Sequence, residues 1–155
     1  MSEIDLIQDL ISEKSYEEAK TRLIKYTEEN SNDPEAQKLL GLVNVNLNQF
    51  KEAKENFLKA TKLLPDDATT LFYLGNCYDN LGALEDAERC YVKVLELREN
   101  FVDAYKNLCI IYMKTGKEES AITVAHQAKQ IDSTDYTFDY LIGTASVTLK
   151  LYNQG

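Results

Sequence analysis

The sequence predicts an all-α fold, an α-solenoid of antiparallel helix pairs, and three observations predict it. Ala19, Ala53, Ala87 and Ala121 stand 34 residues apart. Gly41, Gly75 and Gly143 keep the same interval, with Cys109 in the slot between the last two, and Gly82 and Gly116 repeat it again. Apolar residues between these markers recur at the i, i+3, i+4, i+7 spacing of one helical face. A fixed period of this length marks a repeat array in which each unit buries its apolar face only against its neighbours.

The elements follow in order. An inner helix is expected near 3–13, where Glu3, Leu6, Ile7 and Leu10 depart from the later units and suggest a variant cap. Ser15-Tyr16-Glu17-Glu18 has the form of a capping box opening an outer helix near 17–30. Asp33-Pro34 supplies an N-cap followed by proline at the first helical position, starting an inner helix near 34–47. An outer helix near 51–63 carries Ala53 and Phe57. Pro65-Asp66-Asp67 closes that unit and caps the next inner helix, near 68–81, whose Leu71, Leu74, Gly75 and Tyr78 share a face. Gly82 provides the permissive backbone of a tight helix-to-helix turn. The outer helix near 85–97 presents Ala87, Tyr91 and Val94. Tyr105, Leu108, Cys109 and Tyr112 define an inner helix near 102–115, and Ala121 and Ala125 an outer one near 118–131. A last inner helix is expected near 136–150. Tyr16, Tyr78, Tyr91 and Tyr112 fall at packing positions and read as core.

The domain organisation is one array over 1–155: a variant repeat at 1–33, full repeats at 34–67, 68–101 and 102–135, and a partial repeat at 136–155. The final segment holds Phe138, Tyr140, Leu141, Ile142, Val147, Leu149, Leu151 and Tyr152 with a single acid and a single base. Solenoid ends normally carry a polar outer face. The expectation is therefore either a chain that continues beyond Gly155 or a strip buried by self-association, as a homodimer through Tyr140, Leu141, Leu149 and Tyr152.

Composition removes several function classes. The net charge is −9, from 26 acidic and 17 basic residues. No basic stripe exists for a phosphate backbone, so a nucleic-acid partner is not expected. Nothing approaches the ~18 apolar residues of a membrane helix, and no membrane association is expected. Met-Ser-Glu-Ile-Asp-Leu-Ile lacks the basic start and apolar run of a secretion signal. Cys77, Cys90 and Cys109 are odd in number and lack Cys-x-x-Cys spacing, which points to a reducing, cytoplasmic setting. The lone histidine, His126, has no partner spacing for a nucleophile pair and reads as a surface or half-buried residue. Phosphate-binding glycine loops, EF-hand loops and zinc spacings are absent from the sequence. No cofactor or metal is expected, and the chain is not expected to be an enzyme by itself.

The unit Leu71-x-x-Leu74-Gly75-x-x-Tyr78, then Ala87-x-x-x-Tyr91, resembles the tetratricopeptide repeat. The same register runs through Gln37-x-x-Leu40-Gly41-x-x-Asn44, Ala53-x-x-x-Phe57 and Pro65, and through Tyr105, Leu108, Cys109, Tyr112, Ala121 and Ala125. The resemblance implies a right-handed stack whose inner helices line a concave groove for an extended peptide or partner helix. Carried onto this chain, the groove comprises Lys38 and Leu42, then Phe72, Tyr73 and Asn76, then Lys106, Asn107, Ile110 and Met113. Counting the neighbouring Glu35, Asp79, Asp103 and Lys114 on the same inner helices, three bases stand against three acids. The groove is therefore near neutral and apolar, suited to a segment with aliphatic or aromatic anchors whose backbone pairs with the asparagine amides. Phe72, Thr137 and Leu141 stand where chaperone-binding relatives place the cations of a carboxylate clamp, so no chaperone C-terminal tail is expected to bind. The resulting expectation is a non-enzymatic protein-interaction adaptor. Its rivals are the N-terminal recognition arm of a larger enzyme, such as a glycosyltransferase, and a self-associating scaffold.

Overall fold

A computed structural model describes residues 2–153. Among these residues there are nine helices and no strand: α1 (Glu3–Ser12), α2 (Tyr16–Glu29), α3 (Pro34–Asn46), α4 (Phe50–Leu63), α5 (Ala68–Asn80), α6 (Leu84–Leu97), α7 (Val102–Lys114), α8 (Glu118–Ile131) and α9 (Thr137–Tyr152). Each lies within two residues of its expected bounds. The chain divides into two compact units, Met1–Gly82 and Ala83–Gly155.

The turns explain the regularity. Lys14, Asn48, Gly82 and Gly116, again 34 residues apart, all have positive φ, at 61°, 58°, 76° and 70°. Each residue follows an inner helix and reverses the chain into the next outer helix. At the turns through Lys14, Asn48 and Gly116 the backbone closes a Schellman pattern: the residue after the left-handed one donates to the carbonyl five positions back. The bonds are Ser15 N–H to Leu10 O (2.8 Å), Gln49 N–H to Asn44 O (2.8 Å) and Lys117 N–H to Tyr112 O (2.8 Å).

That geometry overturns the expected capping box at Ser15. Its side chain makes no cap hydrogen bond, because the preceding left-handed turn sets the backbone (ψ 59°) away from the extended conformation that capping needs. The other outer helices also begin without a side-chain cap. Side-chain caps sit on inner helices instead. Asp33 accepts from the Glu35 and Ala36 N–H groups, and Asp67 from Thr70 N–H. A capping box does form, at Ser2 and Asp5: Ser2 N–H donates to the Asp5 carboxylate (2.7 Å) and Asp5 N–H to Ser2 Oγ (3.1 Å).

In the first unit the core gathers Ile7, Ala19, Leu23, Ala36, Leu39, Leu40 and Val43. Gly41 lets α4 approach α3: a Cβ built there would stand 2.6 Å from the Phe57 ring. Where the repeat pattern has large residues, this unit has Gln37 and Asn44, both buried. Asn56 accounts for them, since Asn44 Nδ2 donates to Asn56 Oδ1 (2.9 Å) and Asn56 Nδ2 to Gln37 Oε1 (3.2 Å). These two bonds chain the three side chains together across the α3–α4 interface, while Asn44 Oδ1 stays buried with no hydrogen-bond partner among the described residues.

In the second unit Tyr105, Cys109, Ala125, Ala128, Phe138 and Leu141 form the core. Tyr91 is fully buried, and its hydroxyl accepts from Asn107 Nδ2 at 3.4 Å. Tyr16, Tyr78 and Tyr112 are half-buried. Cys77, Cys90 and Cys109 are buried free thiols. Burial raises the Cys90 thiol to about 11 and that of Cys109 to about 12.

Candidate functional site

The expected groove residues lie on inner helices in both units. In the first, Lys38 and Leu42 stand one turn apart on α3, and Phe72, Tyr73 and Asn76 follow on α5, which packs beside it. Tyr73 is committed to packing: its ring stacks on Phe57 at 5.8 Å and meets the edge of Phe72 at 5.7 Å. Leu42 is half-buried against the core. Phe72 and Asn76 are half-buried.

In the second unit Lys106, Asn107, Ile110 and Met113 lie along one side of α7. Met113 packs against the core, and Asn107 is tied to Tyr91. Ile110 is the large apolar side chain of this group left most open, at 39% exposure.

Both lysines are occupied, and in the same way. Lys38 pairs with Glu35 (2.6 Å) and lies 3.9 Å from Asp67, the N-cap of α5. Lys106, 68 residues later, pairs with Asp135 (2.7 Å) just before α9 and lies 3.8 Å from Asp103. Each is an ion bridge from one inner helix to the acid that opens the next. The second is the tighter, and the Lys106 ammonium is the largest influence holding the Asp135 carboxyl down at about 2; the Thr137 hydroxyl and N–H add to it. The sequence reading placed these lysines in the groove but missed the acids, whose signal is present: Asp67 and Asp135 obey the same 68-residue interval as their partners. At the intermediate register the two positions are Phe72 and Phe101. These faces therefore present apolar and amide groups, with their cations neutralised.

The four residues expected to mediate self-association separate in the structure. Leu141 is 7% exposed and belongs to the core, because it projects from the same side of α9 as Phe138 and Ala145. Leu149 is half-buried and borders a hollow formed with Gly116–Ser120. Tyr152 is exposed, yet at 3.6 residues per turn it lies opposite the helix's open side. Tyr140 alone of the four stands on that side, 72% exposed, accompanied by Val147 and Leu151 of the same apolar segment and by Tyr136 just before the helix.

His126 is exposed. Among the described residues no three His, Cys, Asp or Glu side chains gather as a metal site, and no helix is long and apolar enough to cross a membrane.

Among solved structures, MamA superposes with a TM-score of 0.92 at 19% identity, covering 98% of this chain and 83% of that one. MamA from Desulfovibrio magneticus RS-1, residue 41 to its end, gives 0.89 at 22% identity over 96% and 84% of the two chains. A chain of the APC/C hetero-tetramer Cut9–Hcn1 gives 0.80 at 21% identity, covering 92% of this chain and 29% of that one. At such identities these likenesses establish the fold. No curated protein sequence matches significantly. Tetratricopeptide repeat models match residues 35–67 and 68–101, the two units in which the Leu-Gly and Ala markers are most complete. Residues 35–101 are therefore two successive tetratricopeptide repeats inside an all-helical chain of the same fold.

Proposed function

We propose that the chain is a protein-interaction scaffold whose inner-helix faces hold a peptide or helix of a partner through apolar anchors. The repeats support the scaffold role, and the fold is typical of interaction modules without chemistry of their own. The observation that carries the finer reading is Ile110, 39% exposed on α7, with Asn107 one turn before it and Met113 one turn after. An aliphatic side chain held open between an amide and a thioether offers an anchor site, and Met adapts its shape to what it meets. Phe72 and Asn76 repeat the apolar-plus-amide combination one turn apart on α5. Neutralised lysines favour an uncharged anchor over a terminal carboxylate, which would have to displace Asp67 or Asp135 from its partner.

Selection from a displayed peptide library tests this reading. The expected winners carry spaced aliphatic or aromatic residues, and Phe72→Glu or Ile110→Glu, in whichever unit holds the peptide, weakens its binding about tenfold or more, since a carboxylate is then buried without a partner. Selected peptides that bind both variants as well as the parent place recognition elsewhere.

A further inference from the structure

The open side of α9, the last inner helix, carries a pattern of its own. Tyr136 (80% exposed), Tyr140 (72%), Val147 (60%) and Leu151 (69%) are large apolar side chains in water. With Gly143 they lie within an arc of ~80° at ~100° per residue, forming one continuous stripe. The glycine at its centre is bare. A Cβ there would meet nothing within 4 Å, whereas its repeat counterpart Gly41 receives Phe57 at 2.6 Å, and Cys109 at the same register lies 3.5 Å from Ala121 O. At this register the fold packs a helix against the small residue, and on α9 that place is open.

The stripe is self-complementary. In an antiparallel pairing centred between Gly143 and Thr144, Tyr136 falls opposite Leu151, Tyr140 opposite Val147, and Gly143 opposite Thr144. Large residues meet large ones at the flanks, and the smallest lie where two helix axes approach closest. The charges agree with that direction. Asp139 borders one end of the stripe and Lys150 the other, on the same flank, so antiparallel packing brings acid to base. Asp139 pairs with Lys129 within the chain yet stays 49% exposed. This arrangement, in which residue i meets j and j meets i, is the signature of a two-fold interface.

We infer that the Tyr136–Tyr140–Gly143–Val147–Leu151 stripe of α9 is a docking surface for the same stripe on a second copy of this chain, antiparallel about Gly143. A contact one helix wide falls well below the ~800 Å² per partner of a standard interface, so the dimer is weak and concentration-dependent.

Sedimentation equilibrium of the 155-residue chain from micromolar to millimolar concentration is the test, with cysteine cross-linking for direction. The expected result is a monomer–dimer equilibrium that Val147→Asp weakens about tenfold or more through an unpaired buried carboxylate, with circular dichroism unchanged because Val147 is exposed in the monomer. The three native cysteines are buried, so introduced thiols report alone. Gly143→Cys should link to itself, and Leu151→Cys should link to Tyr136→Cys in a mixture but not to itself. A chain that stays monomeric to millimolar concentration overturns the inference. A dimer indifferent to Val147→Asp, or Leu151→Cys linking to itself, overturns it equally. Ile110→Glu should leave the dimer intact, so failure here and failure of the peptide-binding reading are told apart.

Discussion

Gly41 sits so close to Phe57 that a methyl group on its Cα would stand 2.6, 2.8 and 2.8 Å from three ring atoms of a fully buried phenylalanine. The same repeat position on α9, Gly143, has open space. Gly41→Ala is therefore expected to destabilise by about 1–3 kcal/mol, as overpacking does, despite alanine's better helix propensity. Gly143→Ala, measured at low concentration, should stabilise by up to about 1 kcal/mol through propensity alone. Urea unfolding of both variants checks the contrast in sign.

The four left-handed turns are not equally suited to their residues. Gly82 and Gly116 adopt positive φ freely, while Lys14 (φ 61°) carries a side chain that conformation disfavours. Lys14→Gly is expected to raise stability by about 0.5–1 kcal/mol, and Asn48→Gly by less, since asparagine tolerates the left-handed region. Gly82→Ala should lower it by about 1 kcal/mol. Thermal unfolding of the three variants in one buffer gives the ranking.

Asn56 holds the buried amide group together, accepting from Asn44 and donating to Gln37. Asn56→Leu keeps the volume and strands both partners, so a loss of about 2 kcal/mol or more is expected, at about 1–3 kcal/mol per unsatisfied group. Replacing all three with apolar residues should recover most of that loss, which a comparison of the single and triple variants by urea unfolding measures.

The Lys106–Asp135 bridge gives a pH signature. Asp135 titrates at about 2 when folded against an ordinary 3.8, with Lys106 the largest cause. A depressed folded value means the unfolded chain binds the proton first, so this contribution is present above the ordinary value and lost as pH falls from about 4 towards 2. Asp135→Asn should lie below the parent in stability at neutral pH and converge with it near pH 2, in urea midpoints recorded across the acid range. Both side chains are partly exposed, so the difference should shrink in high salt.

Much of this was legible in the sequence, for a physical reason. Helix ends are written locally, by Asp33-Pro34, by Asp67, by Gly82 and Gly116 and more weakly by Asn48, and the period carries the assignment to the turn at Lys14, where the residue gives no sign. What the period did not reveal depends on pairs. Gln37 and Asn44 depart from the motif, and their reason, Asn56, lies outside the motif positions. Ser15 has the residues of a capping box, but the left-handed turn before it takes the backbone away. On α9 apolar content alone does not separate the buried Leu141 from the exposed Tyr140; that distinction needs the helix phase against α7 and α8. Likewise Lys38 and Lys106 were placed by register, while their engagement by Asp67 and Asp135 depends on how the next inner helix begins.

The central claim is that the inner-helix faces are where a partner segment binds. Amide and methyl NMR shift mapping of the chain with a selected peptide tests it most directly. The account predicts shifts concentrated at Phe72 and Asn76 on α5 or at Asn107, Ile110 and Met113 on α7, with the α2, α4 and α8 signals unmoved. Shifts confined to those outer helices, or to the α9 stripe, would contradict it.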